Sequence, residues 1–493
     1  MVRILMVTTE TSPFAKTGGL ADKVSALSSS LISMDTDVRI VMPRYYCVDR
    51  NNLEKHPSPL YVPMPYRDEW AAVYKGELPS SGVPVYFIDH EELYGRSGIY
   101  GNTPDEGFSD NSRRYSFFCR SVFHLCRMTG WIPDVFHCHD WGAALVPYFL
   151  RREEHTGEFS GSFSMLTIHN LGYQGIFPLS DSGFVKKYHS TWELSELEFD
   201  GALNFLKTGI VTADSLTTVS PTYAEEIKTP EHGHRLEGLL GLRKDDLHGI
   251  LNGADYDHWN PATDPMISPD NYSAAKPANK KKVKKTLQRE LGLNEEAGKP
   301  VIGMVTRLVS QKGINELIFP GSGSLYHICR DFDLQFVIVG SGDRWCEVEL
   351  GRLASRLENL KVWIGYNDRL AHLVEAGCDF FLMPSRYEPC GLNQLYSLKY
   401  GTLPIVRSTG GLADTVENYN EETGEGTGFV FYDLNPSSLY NTVGWAVSAW
   451  YNKKSDIEKM KIRAMKKDFS WGKSAGKYKS LYLELLKMRE NLV

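Results

Sequence analysis

Cysteine is scarce in this chain of 493 residues: there are eight, scattered, and no two stand as C-x-x-C. A disulfide framework is thereby excluded, and the thiols are expected to be reduced, in a cytoplasmic setting. Long apolar runs are missing too. No stretch reaches the ~20 residues of a membrane-crossing helix, and the run in MVRILMVTTE reads as a first strand rather than a signal peptide. Positive charge is in deficit. A formal net charge of −7 argues against nucleic acid as the main partner. The first glycine pair is not followed by G-K-[ST], so the loop around it is not a Walker phosphate loop.

What is present reads as an ordinary globular chain, 42% apolar and 23% charged, long enough for two large domains. Short apolar strands alternate with helical patterns throughout. In the first half the strands are Ile4–Thr8, Asp37–Val41, Val83–Ile88, Val135–His137, Met165–Ile168 and Ser215–Val219. In the second they are Val301–Thr306, Gln335–Val339, Lys361–Ile364, Asp379–Met383, Leu403–Val406 and Thr427–Phe431. Continuous apolar strands separated by helices predict parallel sheets buried on both faces, hence two doubly wound α/β domains.

The expected division is 1–252, a linker at 253–285 that is polar and rich in Pro and Asn, a second domain at 286–469, and a helical tail from 470 packing back on the first. The lysine run Lys280–Lys285 is expected to be a solvated helix face.

One stretch, Pro384–Val416, holds two glycine-bearing strand-to-helix turns in close succession, the layout of an anion site at the edge of a parallel sheet. Glu388 stands in the first turn, fixed by Pro389, Cys390 and Gly391; Thr409-Gly410-Gly411 makes the second. The hexapeptide Thr-Gly-Gly-Leu-Ala-Asp occurs at 17–22 and again at 409–414, each time between a strand and a helix. A glycine pair lets a ligand approach the backbone, and Asp is favoured early in a helix.

Ligands of open α/β sheets lie beyond the C-terminal strand ends. The candidates there are Lys16, His137-Cys138-His139-Asp140-Trp141 and His169-Asn170 in the first half. In the second they are Arg307, Lys312, the turn Gly340–Asp343 and Glu388. The cations suit phosphate. A metal at His137–Asp140 is disfavoured, because Cys138 alternates away from both histidines along the strand and no second Cys/His cluster completes a site.

These residues resemble a known family, the bacterial glycogen synthases and plant starch synthases. The matching words are KTGGLAD (16–22), HDWGAAL (139–145), TIHNLGYQG (167–175), GILNGAD (249–255), TRLVSQKG (306–313) and PSRYEPCGLNQLYSLKYGTLPIVRSTGGLADTV (384–416), in family order. The resemblance implies the GT-B fold, two Rossmann-like doubly wound parallel-sheet domains facing a deep cleft. It also implies transfer of glucose from ADP-glucose to the non-reducing end of an α-1,4-glucan such as glycogen, with retention and with no metal or other cofactor. Carried over by position, Glu388, His169, Arg307 and Lys312 would be catalytic. Lys16, Gly18, Gly19, Asp22, Asp140, Asn252, Cys390, Gly391, Leu392, Asn393, Thr409 and Gly410 would bind the donor. Tyr100, Trp141 and Asn170 would line the acceptor side. Two departures stand out. Tyr396 occupies the place where many related transferases carry a second Glu, as the glycogen and starch synthase branch does, and Lys23 stands where the family usually has an apolar residue. The rival readings are a UDP-sugar transferase on the same fold and a binding protein that has lost catalysis.

Overall fold

The computed structural model describes residues 1–103, 106–186 and 191–490. The chain forms two compact units. One comprises Met1–Val219, Ala224–Gly253 and the tail from Trp471; the other comprises Ala254–Ser470 with Ser220–Tyr223.

In the first unit the sheet runs in the spatial order Leu247–Gly249, Ser215–Thr218, Phe163–Ile168, Val135–His139, Val2–Val7, Thr36–Pro43, Pro84–Asp89. All of these strands are parallel. Asp68–Glu77 adds an antiparallel strand at the edge, where Leu60–Pro63 and Glu54–Lys55 both pair with it. The central strand Val2–Val7 is buried at every position but Arg3, as a strand covered by helices on both sides must be. Chain order reverses across the sheet between Val2–Val7 and Val135–His139, which makes the C-terminal ends of those strands the switch point.

The second unit repeats the plan. Its parallel strands lie in the order Leu360–Ile364, Gln335–Gly340, Val301–Val305, Phe380–Met383, Leu403–Arg407, Phe429–Phe431. This is the dinucleotide-fold order, and the reversal falls between Val301–Val305 and Phe380–Met383.

The stretch 253–285 takes on unexpected packing: Ile267, Tyr272 and Val283 enter the core of the second unit. The lysine run opens the helix Lys280–Glu290, in which positions 280, 283, 284 and 287 share a face. Lys280 and Lys284 are therefore drawn inward with Val283 and Leu287, which corrects the expectation of a wholly solvated face. Lys280 Nζ donates to the Ala376 carbonyl at 2.8 Å and to Thr402 Oγ1 at 2.6 Å, and burial pushes its ammonium down to about 7. Lys284 Nζ donates to Asp379 Oδ2 at 2.7 Å.

The tail helix Trp471–Glu490 belongs to the first unit and buries Tyr478 and Tyr482 completely. Its packing explains the unusual lysine near the first glycine pair. Lys23 is buried, and its Nζ donates to Tyr478 Oη at 2.8 Å. Among the described residues no helix is long and apolar enough to cross a membrane.

Candidate active site

At the second unit's switch point the chain leaves Val301–Val305 into Thr306-Arg307 and leaves Phe380–Met383 into Pro384-Ser385. These two exits, with Lys312, Glu388 and Gly391-Leu392-Asn393, line a cavity of about 220 Å³. Lys312 Nζ lies 2.5 Å from Glu388 Oε2, and Ser385 Oγ donates to the same oxygen at 3.0 Å. Glu388 is only 6% exposed, so the carboxylate is held by an ammonium and a hydroxyl in a largely dry pocket.

Gly313, just after Lys312, has φ +70°, and a Cβ there would sit 1.9 Å from the Pro384 carbonyl oxygen. Glycine thus lets the Arg307–Lys312 turn close on the Glu388 loop. Arg307 Nη2 donates to Gln311 Oε1 at 3.3 Å. The helix Asn393–Tyr400 begins at the cavity with no side chain capping its N-terminus, and Asn393 Nδ2 donates to the Val305 carbonyl at 2.9 Å. Its positive end therefore faces the same space as Lys312.

The two copies of the hexapeptide do different work. A Cβ at Gly410 (φ +43°) would stand 2.0 Å from the Glu388 carbonyl oxygen, and one at Gly411 2.0 Å from that of Cys390. The second pair is consumed by packing beneath the Glu388 loop, and Thr409 is buried beside it. Around Gly18 and Gly19, by contrast, no neighbouring atom lies within 4 Å of such a Cβ. Packing does not demand glycine there. Lys16 Nζ pairs with Asp22 Oδ2 at 2.7 Å, and both side chains are more than a third exposed.

Glu10, just past the strand Val2–Val7, holds this first turn from below. It is 2% exposed and accepts from the backbone N–H of Thr17, from Thr17 Oγ1 at 2.7 Å and from Tyr100 Oη at 2.8 Å. Neither Glu10 nor Ser385 is among the candidates at the strand ends. A carboxylate immediately after the first strand and ahead of a Lys-Thr-Gly-Gly turn was the available signal for the former. Nothing local marked Ser385.

Across the first unit's switch point, Asp140 adopts a left-handed φ of +55°. Its Oδ1 accepts from the backbone N–H of His169 at 2.7 Å. Burial pushes the Asp140 carboxyl up to about 7, against the lowering effect of the His169 and Asn170 N–H groups. His169 Nε2 lies 3.1 Å from His139 Nδ1, and burial holds the His169 imidazole well below its usual range and hence neutral. Trp141 packs against Tyr100 and Tyr115, with ring centroids 5.6 Å and 4.7 Å away. Asn170 Oδ1 accepts from the Gly172 N–H at 3.0 Å, and Asn252 is buried with its Oδ1 unbonded. His137 is committed to Tyr482 Oη at 2.7 Å and Thr167 Oγ1 at 2.6 Å.

Comparison with known proteins gives the chain's family. Residues 3–241 match the family model described as starch synthase catalytic domain, and residues 284–463 match glycosyl transferases group 1. The chain is 52% identical to a glycogen synthase of Treponema denticola over the whole of both chains. It is 44% identical to glycogen synthase 1 of Geobacter metallireducens, over 99% of this chain and 97% of that one. Among solved structures, the catalytic domain of starch synthase IV from Arabidopsis thaliana, bound to ADP and acarbose, aligns with a TM-score of 0.87 at 29% identity, over 99% of each chain. The sucrose-phosphate synthase of Thermosynechococcus elongatus, at 16% identity and a TM-score of 0.58 over 99% of this chain and 100% of that one, shares the fold. With two dinucleotide-type sheets, a Lys–Glu pair at the second switch point and relatives that span its full length, the chain belongs to the glycogen and starch synthase family of GT-B glucosyltransferases.

Proposed function

We propose that this enzyme transfers glucose from ADP-glucose to the non-reducing end of an α-1,4-glucan, with retention at the anomeric carbon. The observation that carries the reading is the Lys312–Glu388 pair in the switch-point cavity, with an uncapped helix end beside it. A leaving diphosphate gathers negative charge as the C1–O bond breaks. Lys312, Arg307 and the N-terminal end of Asn393–Tyr400 are fixed positive groups suited to that charge. Glu388 orients the sugar and offsets the positive charge that develops at its carbon. The acceptor hydroxyl forms its bond on the face the phosphate leaves, and its proton passes to the departing phosphate oxygen. The bound ADP of the Arabidopsis relative supports the choice of nucleotide.

The first unit's share in this reading is a cation, an open backbone and a neutral imidazole. Lys16 and the Gly18–Gly19 turn serve the diphosphate and sugar. His169, steadied by Asp140, serves the hydroxymethyl side, and Tyr100, Trp141 and Asn170 serve the glucan. Asp22, Asn252, Cys390, Gly391, Leu392, Thr409 and Gly410 complete the donor set, Gly410 through packing.

Incubation of the enzyme with glycogen and labelled ADP-glucose or UDP-glucose tests the proposal. Label should enter the polymer from ADP-glucose with release of ADP. Incorporation from UDP-glucose alone would overturn the donor assignment, and binding of ADP-glucose without turnover would overturn the activity.

A further inference from the structure

In the second unit, His258, Asp368 and His372 place ligand atoms within 4.8 Å of one another, the group among the described residues able to hold a metal ion. His258 comes from the segment that follows Ala254. Asp368 and His372 are four residues apart on the helix Asp368–Gly377, so they rise from the same face. None of the three lines the cavity at Glu388.

His372 is fully buried and its ring is fixed on every count. Its Nδ1 lies 2.9 Å from Asp264 Oδ2. The Trp259 indole stacks on it with centroids 3.7 Å apart and planes 9° apart. Asp264 is itself 1% exposed and held by Tyr400 Oη at 2.7 Å and by the Met266 N–H at 2.8 Å. A carboxylate on Nδ1 sets the tautomer: the proton sits on Nδ1, and Nε2 presents its lone pair. That lone pair faces His258 Nε2 at 3.3 Å. Two imidazole nitrogens bound to one tetrahedral zinc at ~2.0–2.1 Å stand about 3.3–3.4 Å apart. A buried carboxylate behind a ligating imidazole is also the outer shell that zinc histidines recur with. The Tyr366 hydroxyl orients the third candidate ligand, donating to Asp368 Oδ1 at 2.8 Å.

We propose that His258, His372 and Asp368 form a binding site for a zinc-class divalent ion, with solvent as the fourth ligand and Asp264 as the positioning residue behind His372. Two imidazoles and one carboxylate favour zinc over magnesium or calcium, which seek oxygen. The ion ties the segment carrying His258 to the helix Asp368–Gly377. Trp259 extends that tie, since its indole also stacks on Tyr396, at 4.3 Å and 6°, in the helix that begins at the donor cavity. The site acts on stability. No catalytic step passes through it.

The test is a calorimetric titration of the chelator-stripped enzyme with zinc chloride, beside His258→Ala and Asp368→Asn, two changes at positions open enough to solvent to leave the fold intact. One zinc per wild-type chain is expected. His258→Ala should lose more affinity than the ~10–100-fold that outer-shell changes cost. Zinc should raise the Tm of the wild type and not of His258→Ala, and cobalt should give the visible spectrum of a four-coordinate ion in the wild type only. The proposal is overturned if the wild type takes up no stoichiometric zinc, leaving the 3.3 Å approach a plain N–H···N hydrogen bond. Stoichiometric zinc that both variants retain with unchanged affinity would overturn it equally.

Discussion

Lys312 Nζ sits 2.5 Å from Glu388 Oε2, so the ammonium suited to a donor diphosphate is already paired with the carboxylate suited to the sugar. The pair sits in a site where Lys312 is 18% and Glu388 8% exposed by side chain, so each is the other's nearest counter-charge. Removing either charge therefore has two consequences, one for chemistry and one for stability.

Glu388→Gln should lower kcat by about 10²–10³-fold, the scale on which a preorganised electrostatic contact acts. Donor affinity should stay level or tighten, because Lys312 is released toward the diphosphate. Single-turnover rates with ADP-glucose, set beside calorimetric binding of ADP, separate the two effects. Near-normal turnover would remove Glu388 from the chemistry.

Lys312→Met should weaken donor binding and turnover together, and also destabilise the fold by leaving Glu388 without its counter-charge. The cost should fall somewhat below the about 3–5 kcal/mol seen when fully buried pairs are broken. Adding Glu388→Gln to Lys312→Met should recover most of that loss in a urea melt. A double variant no more stable than Lys312→Met would show that the pair is not coupled.

The two hexapeptides give a paired test. Gly410→Ala puts a Cβ 2.0 Å from the Glu388 carbonyl at φ +43°, so the Glu388 loop must move; turnover should collapse and stability fall by about 1–3 kcal/mol. Gly18→Ala meets no neighbouring atom within 4 Å and should change stability by about 0.5 kcal/mol or less, while weakening donor binding. Thermal melts and donor KM values for both variants decide the matter. Equal effects would mean the two turns serve one purpose.

Asp140 carries a pH signature. Its carboxyl is held up to about 7 against an ordinary value of 3.8, so between those pH values the folded chain binds the extra proton. Stability from this group is thus present at low pH and drains away as pH rises from about 4 to 7. Asp140→Asn removes the drain, and its Tm relative to wild type should climb across that window. A difference independent of pH would show that the carboxyl titrates normally.

Chelation separates the two inferences about charge. EDTA should leave kcat with ADP-glucose unchanged, since Arg307, Lys312 and a helix end supply the positive charge in the proposed reaction. It should lower the Tm through the His258–Asp368–His372 site. Lost turnover would overturn the proposed electrostatics, and an unmoved Tm would count against the metal.

Much of the architecture was legible because it rests on local pattern. Val301–Val305 and Phe380–Met383 are apolar runs flanked by helical periodicity, and burial on both faces is the only environment that suits them. The edge strands Leu60–Pro63 and Asp68–Glu77 are less legible: buried side chains are interspersed with exposed and half-buried ones, so their pattern is a weak alternation. At the site, Glu388, Lys312 and Arg307 were visible as charges beyond strand ends. The reach of Ser385 to Glu388 was not, because it depends on a rotamer set by packing.

The sequence alone determined the alternation of strands and helices, the parallel-sheet class and the charged residues at the strand ends, since hydrophobic periodicity and turn chemistry act over a few neighbours. Tertiary structure decided which of those residues meet. It brought Lys23 to Tyr478 across 455 positions, His372 to His258 across 114 and Lys312 to Glu388 across 76. It also split two identical hexapeptides into one turn filled by the protein's own carbonyls and one left open. Such pairings depend on how helices and loops close-pack around the sheets, and no short-range pattern encodes that geometry.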